Sequence, residues 1–180
     1  MLPDGLPSAV PRGALLLAML CCIVPARADT LMENRVKASF VFNFLKYVEW
    51  PPAAMSGADI RVCGLGQQPL SGELQQLQGR QAQGHAIQVR APVRPDEWRD
   101  CHVLFVPASE QRQVDAVLRA VAQTPVLTVS DSADFAQAGG IIGLKPSAGR
   151  IRFDINLGNA RRASLNMSSH LLRLAEEVRQ

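Results

Sequence analysis

The chain has 180 residues, 47% of them hydrophobic and 19% charged. That supplies one buried core and excludes intrinsic disorder, and no repeat with a period of roughly 20–50 residues points to a solenoid. Nineteen basic residues against sixteen acidic ones give +3, too even a balance for the clustered basic face that nucleic acid requires.

The first segment reads as an address. Arg12 precedes an apolar run from Gly13 to Val24, and small residues follow at Ala26 and Ala28. This is the pattern of a signal peptide over residues 1–28, with cleavage expected between Ala28 and Asp29. The run spans about 18 Å as a helix, short of the roughly 30 Å hydrocarbon core, so it does not read as a membrane anchor. A lipoprotein acceptor cysteine needs a small residue before it, but Leu20 precedes Cys21. Cys21 and Cys22 leave with the leader, and residues 29–180 keep only Cys63 and Cys101. The processed chain is expected in the periplasm, where thiols oxidise.

Residues 31–49 are predicted to be helical. Val36, Phe40, Val41, Phe44, Leu45 and Val48 recur at three- and four-residue steps and form one wide apolar face. Glu33 and Lys37 form an i,i+4 pair on the other side, and Asp29 and Thr30 are candidate caps. Trp50-Pro51-Pro52 ends the helix, because proline disfavours helix in the residue before it. Strands are predicted at 60–65, 85–90, 101–106 and 125–129, and helices at 69–77, 110–123 and 132–137. A hairpin of 141–144 and 150–155 crosses Lys145–Gly149. A helical turn near 159–163 and a closing helix over 168–178 complete the chain. The pattern predicts a single α/β domain over residues 29–180. Its sheet is mixed and mostly parallel, with helices on both faces and the C-terminal antiparallel hairpin at one edge.

The chemical inventory is thin. Gly64-Leu65-Gly66 follows a strand and precedes a helix, but Pro69 replaces the third glycine of a dinucleotide fingerprint and no acidic residue lies near position 85. A tight turn explains it better. His85, His102 and His170 are isolated, and no H-x-x-x-H or C-x-x-C occurs, so no metal site and no thiol oxidoreductase motif is predicted. There is no G-x-S-x-G elbow. Cys101 and His102 are neighbours, but adjacent side chains on a strand point to opposite faces and make no thiolate dyad. Asp131 and Ser132 read as helix caps. No catalytic residue and no cofactor is predicted.

Cys63 lies in the first long strand and Cys101 opens the third. If those strands are neighbours, roughly 4.8 Å apart, the sulfurs fall within bonding range. The alternative is two buried thiols that behave as small hydrophobes.

Lys37-Ala-Ser-Phe-Val-Phe-Asn-Phe-Leu-Lys-Tyr-Val-Glu-Trp-Pro51 resembles the opening signature of the YfiR family of periplasmic proteins. Ile60–Gly64 is similar to its first strand. Val126–Asp131, Phe135, Gly139-Gly140, Ile151–Asn156, Arg161-Arg162 and Ser169–Ala175 are similar to its second half. The resemblance covers nearly all of residues 29–180. It implies a periplasmic α/β protein without enzymatic activity that holds back an inner-membrane diguanylate cyclase through the cyclase's periplasmic sensor region. Relief of that inhibition raises cyclic di-GMP and promotes biofilm growth. It also implies a homodimer, an outer-membrane lipoprotein that sequesters the inhibitor, and a disulfide state that affects repression. Cys63 and Cys101 match one family cysteine pair. The second pair, around the closing hairpin, is missing, since Leu144 to Arg152 contains no cysteine.

Two functional classes follow. One is a periplasmic repressor that binds a membrane cyclase, with Trp50, Arg161 and Arg162 as candidate contact residues. The other is a small-ligand-binding or sensing module partnered with a membrane sensor kinase. Its ligand would sit at the sheet's carboxyl edge, near Gly64–Gln68 or Ser130–Asp134.

Overall fold

The computed structural model describes residues 26–57, 59–67 and 69–180. Helix α1 (Ala26–Tyr47) leads into a two-residue strand β1 (Val48–Glu49), then β2 (Asp59–Gly64) and α2 (Pro69–Gln75). Next come β3 (Gln81–Ala82), β4 (His85–Arg90), a 3₁₀ segment (Pro95–Asp100) and β5 (Val103–Val106). A second 3₁₀ segment (Ala108–Gln113) enters α3 (Val114–Ala120), followed by β6 (Leu127–Ser130), β7 (Ile142–Ser147) and β8 (Arg150–Asn156). The chain closes through α4 (Leu157–Arg162), β9 (Asn166–Met167), α5 (Ser169–Leu174) and β10 (Glu177–Arg179).

Eight strands form one sheet in the order β10-β8-β7-β6-β5-β2-β4-β3. Its pairs are parallel except β7–β8 and β3–β4. β1 and β9 pair separately, antiparallel. The central strands β5 and β6 are buried at every position, as an apolar run flanked by strands and covered on both faces must be. One core layer packs α1, α2, α4 and α5 against the sheet through Val41, Phe44, Leu74, Ala160 and Leu171. The opposite layer holds α3, Trp98, Phe135 and both cysteines. The architecture is the α/β class read from the pattern.

Helix α1 carries the first layer. Val41, Leu45 and Val48 are fully buried, and Phe44 lies edge-on to Phe153 of β8 with ring centroids 5.2 Å apart. Lys37 sits on this buried side as well. Its Nζ is 2.6 Å from Asp131 Oδ2 and 2.6 Å from Glu33 Oε1. Burial alone pushes the ammonium down. The two carboxylates outweigh that and hold it above its usual range. Asp131 therefore does not cap a helix: one oxygen takes Lys37 and the other accepts the Ala108 N–H at 2.7 Å.

Four expectations are corrected. Residues 132–137 form turns: Asp134 and Gly139 take positive φ, and the Phe135 ring fills the space a side chain at Gly140 would need. The region 110–123 is a 3₁₀ segment and then a short helix, broken at Glu110 (φ −102°, ψ 20°). The hairpin strands run on to Ser147 and Arg150, and Ala148 and Gly149 turn with positive φ at both, as two-residue hairpins favour. The closing helix stops at Leu174, and β10 then pairs parallel with β8, so the hairpin is not the sheet edge. β10 is three residues long and mostly charged, which leaves no strand signal to read.

His102 precedes β5 and is buried on the α1 side. Its Nδ1 accepts the Arg61 N–H at 2.9 Å, so Nε2 carries the proton and donates to the Ala54 carbonyl at 3.0 Å. Burial lowers its pKa from the ordinary 6.5, and the nearby Arg61 and His85 add to the shift. The folded state resists the proton that the unfolded chain accepts. Stability is predicted to be full above about pH 6.5 and to fall as pH drops through the depressed folded value, by at most about 1.4 kcal/mol per pH unit. Urea titrations at about pH 7.5 and 5 check this, and His102→Asn, which keeps an acceptor for Arg61, is predicted to flatten that part of the profile.

Candidate functional site

The apolar stripe of α1 is longer than the sheet that covers it. Leu31, Met32 and Val36 remain 50%, 62% and 37% exposed. Met32 and Val36 face the arm of the β7–β8 hairpin. On that arm Leu144 pairs with Phe153 and Pro146 with Ile151, and the alternation of strand side chains sets both pairs on one face. Met32, Val36 and Phe40 on one side and Pro146 and Ile151 on the other enclose an open groove of about 560 Å³, with Glu33 and Arg150 at its rim. Phe40 also lines a smaller hollow of about 150 Å³ with Tyr47, His170 and Leu174, the last 52% exposed. The two hollows join into one apolar band along α1.

The arm is held from behind. Lys145 Nζ lies 2.7 Å from Asp154 and 3.4 Å from Glu176, and Ser147 Oγ bonds Glu176 at 2.9 Å. The Asp154 carboxylate keeps Lys145 above its usual range, and the Ser147 hydroxyl keeps Glu176 below its own. β10 begins opposite Asp154, so among the described residues Arg150 and Ile151 have no strand on their outer side.

Trp50 is not part of this surface. It is 7% exposed, its Nε1 donates to the His102 carbonyl at 3.3 Å, and its ring lies edge-on to His102. As a contact residue it is corrected: an indole buried in the core presents nothing to a partner. Arg161 and Arg162 are exposed at the end of α4, bonded to Gln180 and Asn159, and neither lines the groove. The Ala28–Asp29 junction lies in the first turn of α1, and residues 1–25 of the expected signal peptide are outside the described residues. Met32, Pro146 and Ile151 were missed by sequence reasoning. The available signal was that α1's apolar steps continue a turn before its core face begins, and that Pro146 and Ile151 flank the hairpin turn.

The adjacent Cys101 and His102 do not form a dyad. Cys101 packs with Cys63 and Trp98, whereas His102 lies against Trp50 and Ala54 on the other face. Among the described residues no three His, Cys, Asp or Glu side chains group to hold a metal. Around Ser132–Asp134 the cavity is about 50 Å³, enough for water and too small for an amino acid or nucleotide. At Gly66 the Glu110 carboxylate fills the space above the turn.

Residues 34–176 match the YfiR/HmsC-like family model (DUF4154), and the chain belongs to that family. The family is a periplasmic, regulatory and non-catalytic domain in diguanylate cyclase signalling, acting with a membrane signalling partner. No helix among the described residues is long and apolar enough to cross a membrane. Among solved structures, a conserved domain protein from Vibrio cholerae O1 biovar El Tor is similar at TM-score 0.54 and 12% identity, over 81% of this chain and 60% of that one. An ABC domain in complex with L-Trp from Streptococcus pneumonia is similar at TM-score 0.48 and 11% identity, over the same shares. The chain thus spans 60% of the length of each. The first likeness shows a shared fold.

Cys63 and Cys101 are joined, with Cα atoms 5.9 Å apart and a sequence separation of 38. β2 and β5 are parallel neighbours, with Cys63 opposite Leu104, and Cys101 meets Cys63 where the chain leaves the 3₁₀ segment Pro95–Asp100 just before β5. Both residues are buried, at 1% and 4% exposure, so a reductant reaches the bond only when this part of the fold opens. Cys63→Ser with Cys101→Ser is predicted to cost about 2–4 kcal/mol, read as a lower urea midpoint with an unchanged folded state below it.

Proposed function

We propose that this chain is a periplasmic negative regulator that docks on the periplasmic sensor region of an inner-membrane diguanylate cyclase and lowers its cyclic di-GMP output. The observation that carries the reading is the bare apolar band between α1 and the β7–β8 arm, in a chain of a regulatory family. A contiguous apolar surface of this kind is costly to leave in water, and it fits a partner better than a monomer's exterior.

The mechanism is differential binding. The regulator favours the cyclase's inactive arrangement by the difference of its affinities for the two states. An outer-membrane lipoprotein that takes the same surface removes the bias by competition. Reduction of Cys63–Cys101 removes it by lowering the folded population. A homodimer belongs to the same proposal, as does release from residues 1–28 by cleavage at Ala28–Asp29. Arg161 and Arg162 form a second candidate contact, away from the groove.

The test uses variants on the exposed wall. Val36→Asp and Ile151→Asp place a carboxylate where an apolar contact would dry it. Each is expected to weaken binding to the cyclase's periplasmic region at least about tenfold, with thermal stability little changed for Val36→Asp. Arg161→Ala is expected to weaken it less. Unchanged affinity in both aspartate variants, measured by calorimetry, removes the band as the docking surface.

A further inference from the structure

A second hollow lies at the opposite ends of the same strands, between the end of α3, the start of β6, the turn at Gly139 and the end of α4. Its volume is about 200 Å³. Leu118, Val121, Val126 and Ile141 supply the apolar part of its lining, Thr128 and Asn159 add neutral polar groups, and Arg162 stands in its wall. Among the described residues no carboxylate lines it, and Arg162 is the one charged side chain in its lining. An apolar cavity of about 150 Å³ accepts a benzene molecule, so this one has room for a hydrocarbon body of about six carbons with a polar head.

The guanidinium is placed in advance. Asn159 Nδ2 donates to the Gly139 carbonyl at 2.5 Å, which fixes the amide and turns its Oδ1 to Arg162. Arg162 donates there, and among the described residues it has no carboxylate within ion-pair distance. Three carbonyls at the helix ends are already hydrogen-bonded. Arg99 Nε takes the Ala120 carbonyl at 2.6 Å, Thr124 Oγ1 takes that of Val121 at 2.7 Å, and the Ser164 N–H takes that of Arg161 at 2.9 Å. A fixed, unpaired guanidinium beside an apolar hollow is the chemistry that recognises a carboxylate with an apolar tail.

We propose that this hollow binds a small free monocarboxylate, its tail among Leu118, Val121 and Ile141 and its carboxylate on Arg162. The site is distinct from the α1 groove, with which it shares no residue. Parallel sheets hold ligands by preference at their carboxyl edge, and this hollow is at the amino ends of β6 and β7.

The experiment is a heteronuclear NMR titration of the folded chain with hexanoate and, separately, with hexanamide, its neutral isostere. Hexanoate is expected to shift amides of residues 118–123, 139–141 and 159–163 with a Kd of about 1 mM. Hexanamide is expected to bind about tenfold or more weakly, since it lacks the charge-assisted bond. Arg162→Gln is expected to erase the difference between the two, and Ala122→Trp, at an exposed position on the rim, to block both. Absence of shifts at these residues, equal affinity for acid and amide, or undiminished hexanoate binding in Arg162→Gln overturns the assignment.

Discussion

The position of α1 on the sheet is the constraint on which the rest depends. Val41, Phe44, Leu45 and Val48 bury the helix against one face. Lys37 fixes where along that face it lies, because its ammonium has to meet Asp131 at the end of β6. A largely buried charge without its partner costs several kcal/mol, so sliding α1 by a turn is strongly opposed. With the helix fixed there, its apolar stripe overshoots the sheet. Met32, Val36 and Phe40 are left beside the hairpin arm, and the groove is a consequence of that register.

The same constraint explains what the sequence disclosed. Periodicity exposed α1, and buried apolar runs exposed β5 and β6, because burial on one face or on both leaves a repeat that can be counted. Neighbouring strands then made the Cys63–Cys101 link a geometric question with a short answer. The groove was less legible. Val36 and Phe40 have the same spacing as the core residues, and only the extent of the covering sheet separates an exposed apolar residue from a buried one. Trp50 shows the converse: it reads as a helix end and a candidate contact residue, yet its indole N–H finds the His102 carbonyl and the ring goes inside. Lys37 was assigned to the solvent side by its pairing with Glu33, which is present, while its second carboxylate is 94 positions away and invisible to local reasoning. β10 escaped for a similar reason, since three mostly charged residues become a strand only because β8 offers an edge.

The chemistry of the molecule is that of a surface. Several buried polar groups are tied to structural partners: His102 to Arg61 and Ala54, Lys37 to Asp131 and Glu33, Asn156 to Ala136 and to the Asn159 N–H. The features that remain unexplained by folding are the apolar band at the hairpin end of the sheet and the Arg162 hollow at the other end. Membership of the YfiR/HmsC-like family agrees with a protein that works by contact.

The central claim is that contact through the α1 band restrains a cyclase across the membrane. The most direct measurement is the cellular cyclic di-GMP level in a strain lacking this gene, complemented with the wild-type chain or with Val36→Asp at equal periplasmic abundance. The account predicts a raised level in the deletion, restored by the wild type and left high by the variant. A level that does not change on deletion, or that Val36→Asp and Ile151→Asp restore as fully as the wild type, contradicts it.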